Sequence, residues 1–348
     1  MNPFDSSFDR AGMIDHIVGL PGQVRDAWAQ VRNTTLPPSH AGAGAVAICG
    51  MGGSAIGGDI ARTLIDAEIT VPVVVVRGYD LPAFVKADTL VILSSFSGTT
   101  EETLAACDAA LERGAPMIAV TTGGVLAERA KKEDFPLLQF SFQGMPREAI
   151  GYSSLLMLGV LTQLGYVEDH SQEIAAATDL MDTMAEELGP GSTNGNAAGE
   201  LAARCHGRIV GVYGGGLMAE VSRRWKGQLN ENSKSWAFFD QLPELNHNAV
   251  LGFRFPQDAG EHLRVVQLSA EGNHPRITLR DKVTAELLRS SGVPVDIVEA
   301  RGQNAFEQVF SALYFGDFVS YYLALLNGVD PSDNSAIDHL KARLAQGG

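Results

Sequence analysis

The chain has 348 residues, roughly twice the usual ~150 of one domain, so two domains of similar size are the starting expectation. Hydrophobic residues make up 45% and charged residues 19%, enough apolar material for a large core and too little charge for a disordered chain. Lys and Arg number 26 against 41 Asp and Glu, a net charge of −15 with no block of like charges, which argues against a general nucleic-acid binder because phosphate neutralisation needs a basic face.

The opening stretch MNPFDSSFDR lacks a basic region followed by an apolar core, so no export signal is expected. Met13 to Trp28 reads as a helical lead-in interrupted at Pro21 and packed on the outside of the first domain. Then AVAICG (45–50), VPVVVV (71–76), TLVILSS (89–95), PMIAVTT (116–122) and FPLLQF (135–140) follow as short apolar runs separated by helix-length segments. Continuous apolar strands alternating with helices predict a parallel sheet covered on both faces. Helical stretches at 150–165 and 171–188 are expected to bridge two domains, and Leu155–Leu164, broken by Gly and Gln, is too short for a membrane span. After the polar, Gly-rich GPGSTNGN (189–196) the same grammar returns in RIVGVYGGG (208–216), LRVVQLSAEG (263–272) and PVDIVEARG (294–302). Helices are expected from Phe306 to Leu326 and from Ala336 to Leu344, the last as a solvated cap. The fold class is therefore α/β: two tandem doubly wound domains, each a parallel sheet flanked by helices. Their boundaries are 1–165 for the first domain with its lead-in, 166–196 for a helical connector and linker, and 197–348 for the second domain with the terminal helices. Cys49, Cys107 and Cys205 are odd in number and lack ligand spacing, so they suggest neither disulfides nor zinc but buried thiols, with the cytoplasm as the default compartment.

Two loops carry the chemical signal. Gly50-Met51-Gly52-Gly53-Ser54-Ala55 follows the first strand and opens a helix, where glycines admit close approach of an anion and the helix terminus offers unpaired N–H groups. Gly50, Gly52 and Ala55 also satisfy the dinucleotide pattern, although the second strand ends in Arg77 rather than an acid, so this loop alone is ambiguous among an anion site, a dinucleotide site and a tight turn. The third strand runs into Ser94-Ser95-Phe96-Ser97-Gly98-Thr99-Thr100, whose hydroxyls surround one glycine at a helix start. Such a run can place several O–H and N–H donors on one phosphate without a lysine or a metal, whereas a plain N-cap explains only one or two of these residues. It reads as a monophosphate cradle.

At this point the chain resembles the sugar isomerase (SIS) superfamily, through Ser95-Phe96-Ser97-Gly98-Thr99-Thr100, and is more closely similar to the bifunctional phosphoglucose/phosphomannose isomerases of bacteria and archaea. The resemblance spans GMGGSAIGGD (50–59), SSFSGTTEET (94–103), PREAIGYSSL (146–155), LNENSKSWAF (229–238), PELNHNAV (243–250) and GDFVSYYLALLNGVDP (316–331). It implies a SIS fold in both domains and interconversion of glucose 6-phosphate and mannose 6-phosphate with fructose 6-phosphate through an enediolate, with no cofactor and no metal. That chemistry needs a carboxylate base, a cation for the developing oxyanion and an acid–base group for ring opening.

By the same resemblance, Glu231 is the proton-shuttling base, Arg147 stabilises the enediolate, His247 opens the ring from the neighbouring subunit of a homodimer, and Lys341 assists it. Gly53, Ser54, Ser95, Ser97 and Thr100 are the expected phosphate cradle. Two Asn residues flank His247 and are placed to fix its tautomer. The turns GGGLMAE (214–220) and SAEGNHPR (269–276) of the second domain lack the hydroxyl cluster, which implies one site per chain. The family's N-H-N-E run reads Asn246-His247-Asn248-Ala249 here, and the missing acid leaves a noncatalytic sugar-phosphate-binding regulatory protein, or an isomerase of another phosphosugar, as the alternative. Neither nucleic acid nor membrane is expected as a partner.

Overall fold

The computed structural model describes residues 4–192 and 195–346. The chain divides into two compact units: Val18–Thr183 with Ala300–Ser311, and Met1–Ile17 with Met184–Glu299 and Ala312–Gly348. Each is built on one sheet, and they are called here the first-sheet and second-sheet units.

Two helices precede the first sheet, α1 (Met13–Val18) and α2 (Leu20–Arg32). The lead-in is thus interrupted at Gly19, two residues ahead of Pro21, which sits in the first turn of α2, where a missing N–H costs nothing. The Asp9 carboxylate accepts from the amides of Met13 and Ile14 and starts α1. The expectation that the whole lead-in lies on the first domain is corrected: Met13 and Ile17 are buried with the second-sheet unit, and only α2 belongs to the first.

The first sheet consists of β1 (Ala45–Cys49), β2 (Val73–Val76), β3 (Thr89–Ser95), β4 (Met117–Thr121) and β5 (Leu137–Gln139), in the order β2-β1-β3-β4-β5 and parallel throughout. Every residue of β3 is buried, as a central parallel strand with helices on both faces requires. On one face Ala47, Cys49, Val91 and Leu93 meet α4 (Glu101–Glu112) and α5 (Gly124–Lys132) through Ala106, Cys107, Ala110 and Leu126. Desolvation in this core pushes the Cys49 thiol up to about 12, so it stays protonated, and Cys107 and Cys205 are buried as well.

Among the remaining helices, α6 (Ile150–Gln163) packs on both α3 (Gly52–Ile65) and α2. A methyl group at Gly57 would stand 2.4 Å from Ser153 Oγ, and one at Gly159 would stand 2.0 Å from Val31. This close packing holds α6 inside the first-sheet unit, which corrects its expected bridging role; α7 (Ser171–Leu188) runs from one unit into the other.

The second-sheet unit continues with α8 (Ala197–Cys205), β6 (Ile209–Gly215), α9 (Ala219–Glu231), β7 (Ala237–Leu242), α10 (Ala259–His262), β8 (Leu263–Ser269), α11 (Pro275–Ser290), β9 (Val295–Glu299), the part of α12 (Ala305–Leu326) from Ala312 onward, and α13 (Ser335–Leu344); Ala300–Ser311 group with the first sheet, which corrects the expected unbroken second domain over 197–348. Its parallel order β7-β6-β8-β9 repeats the winding of β2-β1-β3-β4. The fold is a tandem of SIS-type doubly wound sheets. Strand β7 escapes the sequence reading because AFFDQL is a half-exposed edge strand without a continuous apolar run.

Helix α12 is long and apolar enough to cross a membrane by length and composition, with a mean hydropathy of 1.5 over its most apolar window, but 89% of that window is buried inside the protein. From Ala312 onward it is a core helix of the second-sheet unit, where Trp225 Nε1 donates to Ala312 O at 2.8 Å and Leu313, Tyr314, Phe318 and Val319 are fully buried. Of the expected linker, Thr193 and Asn194 lie outside the described residues.

Candidate active site

In an open parallel sheet ligands bind beyond the carboxyl ends of the strands, where the winding reverses. In the first sheet this switch point lies between β1 and β3, and both glycine and hydroxyl loops leave from it. Ser54 lies in the first turn of α3, and its Oγ accepts from the Phe96 amide at 3.1 Å, so the two loops are tied to each other. Ser95 Oγ contacts Thr100 Oγ1 at 2.9 Å and accepts from the Gly98 amide at 3.1 Å. Ser97 Oγ accepts from both the amide and the hydroxyl of Thr99, at 3.2 and 3.0 Å. The loop needs glycine at 98, where φ is +67° and a Cβ would stand 1.8 Å from Gly123 O. Thr100 is the N-cap of α4, whose first-turn amides have no partner within the helix.

Gly53 acts by its lack of a side chain: a Cβ there would stand 2.6 Å from Pro146 O. The short 3-10 turn Pro146–Glu148 is thereby brought against the start of α3, carrying Arg147, which is only 3% exposed. Gln23 Nε2 donates to Glu148 O at 2.9 Å and the Glu148 carboxylate accepts from the Met145 amide, which fixes the turn. The structure thus collects Gly53, Ser54, Ser95, Thr100 and Arg147 at one edge of the first sheet, with Ser97 exposed at its rim. Arg77, the residue that left a dinucleotide reading open, forms an ion pair with buried Asp59.

Glu231, His247 and Lys341 belong to the second-sheet unit. Glu231 is the half-buried last residue of α9, a helix anchored to α12 by buried contacts. Arg224 pairs with Asp317 at 3.1 Å, Gln228 also donates to Asp317, and Asn232 Nδ2 donates to Ser320 Oγ at 3.0 Å. Burial pushes the Asp317 carboxyl up, and Arg224 opposes that shift. Lys341 stands exposed on α13, which has no buried residue.

His247 ends a 3-10 turn, Glu244–His247, and is exposed. The flanking Asn residues do not fix its ring, which corrects the sequence expectation. Asn246 donates to Thr284 Oγ1 at 2.8 Å and accepts from Arg280 Nη1 at 3.0 Å, while Asn248 donates to Glu244 Oε1 and accepts from the Ala249 amide. Both amides fasten the backbone of the loop, one of them to α11. Ala249 packs against the apolar cluster of Tyr213, Leu242, Leu245 and Val265, so the position of the missing acid serves as a core contact here.

The second sheet's own switch point lies between β6 and β8, and a side chain closes it. Asn273, 8% exposed, accepts from the Leu217 amide at 2.9 Å and donates to Gly215 O at 3.1 Å. Its amide stands where a cradle would need open donors. Nothing in the sequence marked Asn273, because its partners lie more than fifty residues away. Among the described residues no group of three or more His, Cys, Asp or Glu side chains is arranged to hold a metal.

Asp281 on α11 is 3% exposed, with its carboxyl group taken out of water. Burial raises it to about 7, against the smaller opposing influence of Gln267 and Ser269. Below pH ~4 the group is protonated in both states; between pH ~4 and ~7 the unfolded chain ionises while the folded one does not, so stability falls by up to about 4 kcal/mol and then levels off. Asp281→Asn removes this penalty. In urea melts the variant should gain on the parent as pH rises from 5 to 8, and a difference independent of pH would contradict the assignment.

Comparison with known proteins places these features in a family context. Residues 194–344 match the family described as bacterial phospho-glucose isomerase C-terminal SIS domain, and residues 41–134 match the SIS domain. A bifunctional phosphoglucose/phosphomannose isomerase of Caldicellulosiruptor bescii is 36% identical over 96% of this chain and 99% of its own length. One from Aquifex aeolicus is 34% identical over 86% of this chain and 90% of its own. Among solved structures, a hypothetical protein from Thermus thermophilus superposes with a TM-score of 0.75 at 16% identity, covering 97% of this chain and 92% of that one.

Proposed function

Because the chain belongs to the family of bifunctional phosphoglucose/phosphomannose isomerases, we propose that it interconverts glucose 6-phosphate and mannose 6-phosphate with fructose 6-phosphate. It is a phosphosugar isomerase of the aldose–ketose class. The observation that carries this reading in the fold is the hydroxyl loop at the first sheet's switch point, tied by Ser54 to the start of α3 and flanked by buried Arg147. Amides and hydroxyls of Ser54, Ser95, Ser97 and Thr100, with the open backbone at Gly53, hold the phosphate. Glu231 moves the proton between C1 and C2, Arg147 carries the enediolate charge, and His247 with Lys341 opens the ring. His247 acts from the partner subunit of a homodimer, and the reaction needs no metal. The chemistry supports this division: proton transfer demands a carboxylate and a cation, and no redox group.

The route is tested by turnover of fructose 6-phosphate in D2O after exhaustive chelation. Chelated protein should retain its rate and deliver product carrying deuterium at C2, because the proton passes through an exchangeable carboxyl group. Loss of activity restored by a divalent cation, with product free of deuterium after many turnovers, would instead indicate a metal-assisted hydride shift.

A further inference from the structure

We propose that Lys234 is a positioning residue that holds the carboxylate-bearing end of α9 in register with the turn leading to α13; the proposal rests on the reading of Glu231 as the base. Three residues past Glu231, the Lys234 ammonium donates to the carbonyls of Glu231 at 2.5 Å, Asp333 at 2.8 Å and Pro331 at 3.3 Å. The first of these belongs to the orphaned carbonyls at a helix C-terminus, where a cation also meets the negative end of the helix dipole. The other two belong to the turn immediately before α13, the helix that carries Lys341.

The surrounding run is fastened residue by residue. Asn230 donates to Ser235 O, Asn232 to Ser320 Oγ and Ser233 to Leu229 O, while Asn327 donates to Ser233 O and Ser235 Oγ. Lys234 is the member that ties this frame to the turn at 331–333. It does so at φ +55°, a left-handed conformation that favours glycine over lysine. A glycine would close the helix with less strain, and what the lysine adds there is its ammonium. A compact ammonium can meet carbonyls from three directions, whereas the planar guanidinium of arginine cannot.

Lys234→Gly isolates this role, since the backbone conformation is kept and only the ammonium is lost. Because a displacement near 1 Å at the reacting groups costs about 10²-fold, we expect kcat for fructose 6-phosphate to fall about 10- to 100-fold with KM within about threefold of the parent. The melting temperature should stay within about 5 °C. Lys234→Arg should remain impaired, and methylammonium added to Lys234→Gly should restore part of kcat without affecting the parent. The proposal is overturned if Lys234→Gly keeps the parental kcat, if activity falls only in proportion to folded protein, or if KM alone rises. A parent chain without turnover would overturn the isomerase reading itself, and this role with it.

Discussion

Replacing Glu231 by Gln is expected to lower kcat for fructose 6-phosphate by about 10³-fold, within the range of about 10²–10⁴ that a positioned acid–base group supplies. The amide keeps the shape of the side chain, and α9 keeps its anchors, because Arg224, Trp225, Gln228 and Asn232 all bond to α12 or to its side chains independently of position 231. Phosphate contacts are assigned to the first-sheet unit, so calorimetric affinity for the sugar phosphate should change less than about threefold, the signature of an interaction made only in the transition state. Mixed with His247→Ala chains, the Glu231→Gln chains should regain activity if His247 acts across a dimer. Near-parental turnover of the Gln variant would remove Glu231 from the mechanism.

Arg147→Ala is expected to cost about 10²–10³-fold in kcat/KM, the usual penalty for losing one preorganised group at a developing oxyanion. Arg147 is only 3% exposed, and a charge so poorly screened is worth more than at a surface. Arg147→Lys keeps the charge but not the planar fork, and should recover only part of the loss. The melting temperature separates chemistry from folding, since removing a buried side chain also has a structural cost. A well-folded Ala variant with parental kcat/KM would exclude Arg147 from the reaction.

Much of the fold was legible because parallel strands covered on both faces announce themselves as continuous apolar runs: β1 and β3 follow the predicted segments 45–50 and 89–95 almost residue for residue. The edge strand β7 was not legible, since half of it faces solvent and its Asp240 and Gln241 break the run. The start of the chain was misplaced for a different reason. Burial of Met13 and Ile17 with residues near the C-terminus depends on packing between distant segments, which no local periodicity encodes. At the site the hydroxyl loop was readable because its residues are consecutive. The use of Asn246, which docks on α11, was misread because a short-range guess assigned it to its neighbour His247. Lys234 and Asn273 were invisible as functional or blocking groups until the turn at 331–333 and the loop after β6 were in place.

The most direct measurement is a coupled assay of the purified protein with fructose 6-phosphate in the presence of chelator, following glucose 6-phosphate and mannose 6-phosphate separately. Formation of both products, abolished in Glu231→Gln, is the predicted result. Absence of one product would contradict a dual isomerase, and absence of both, while fructose 6-phosphate still raises the melting temperature, would contradict the isomerase reading and leave a binding protein or an enzyme of another phosphosugar.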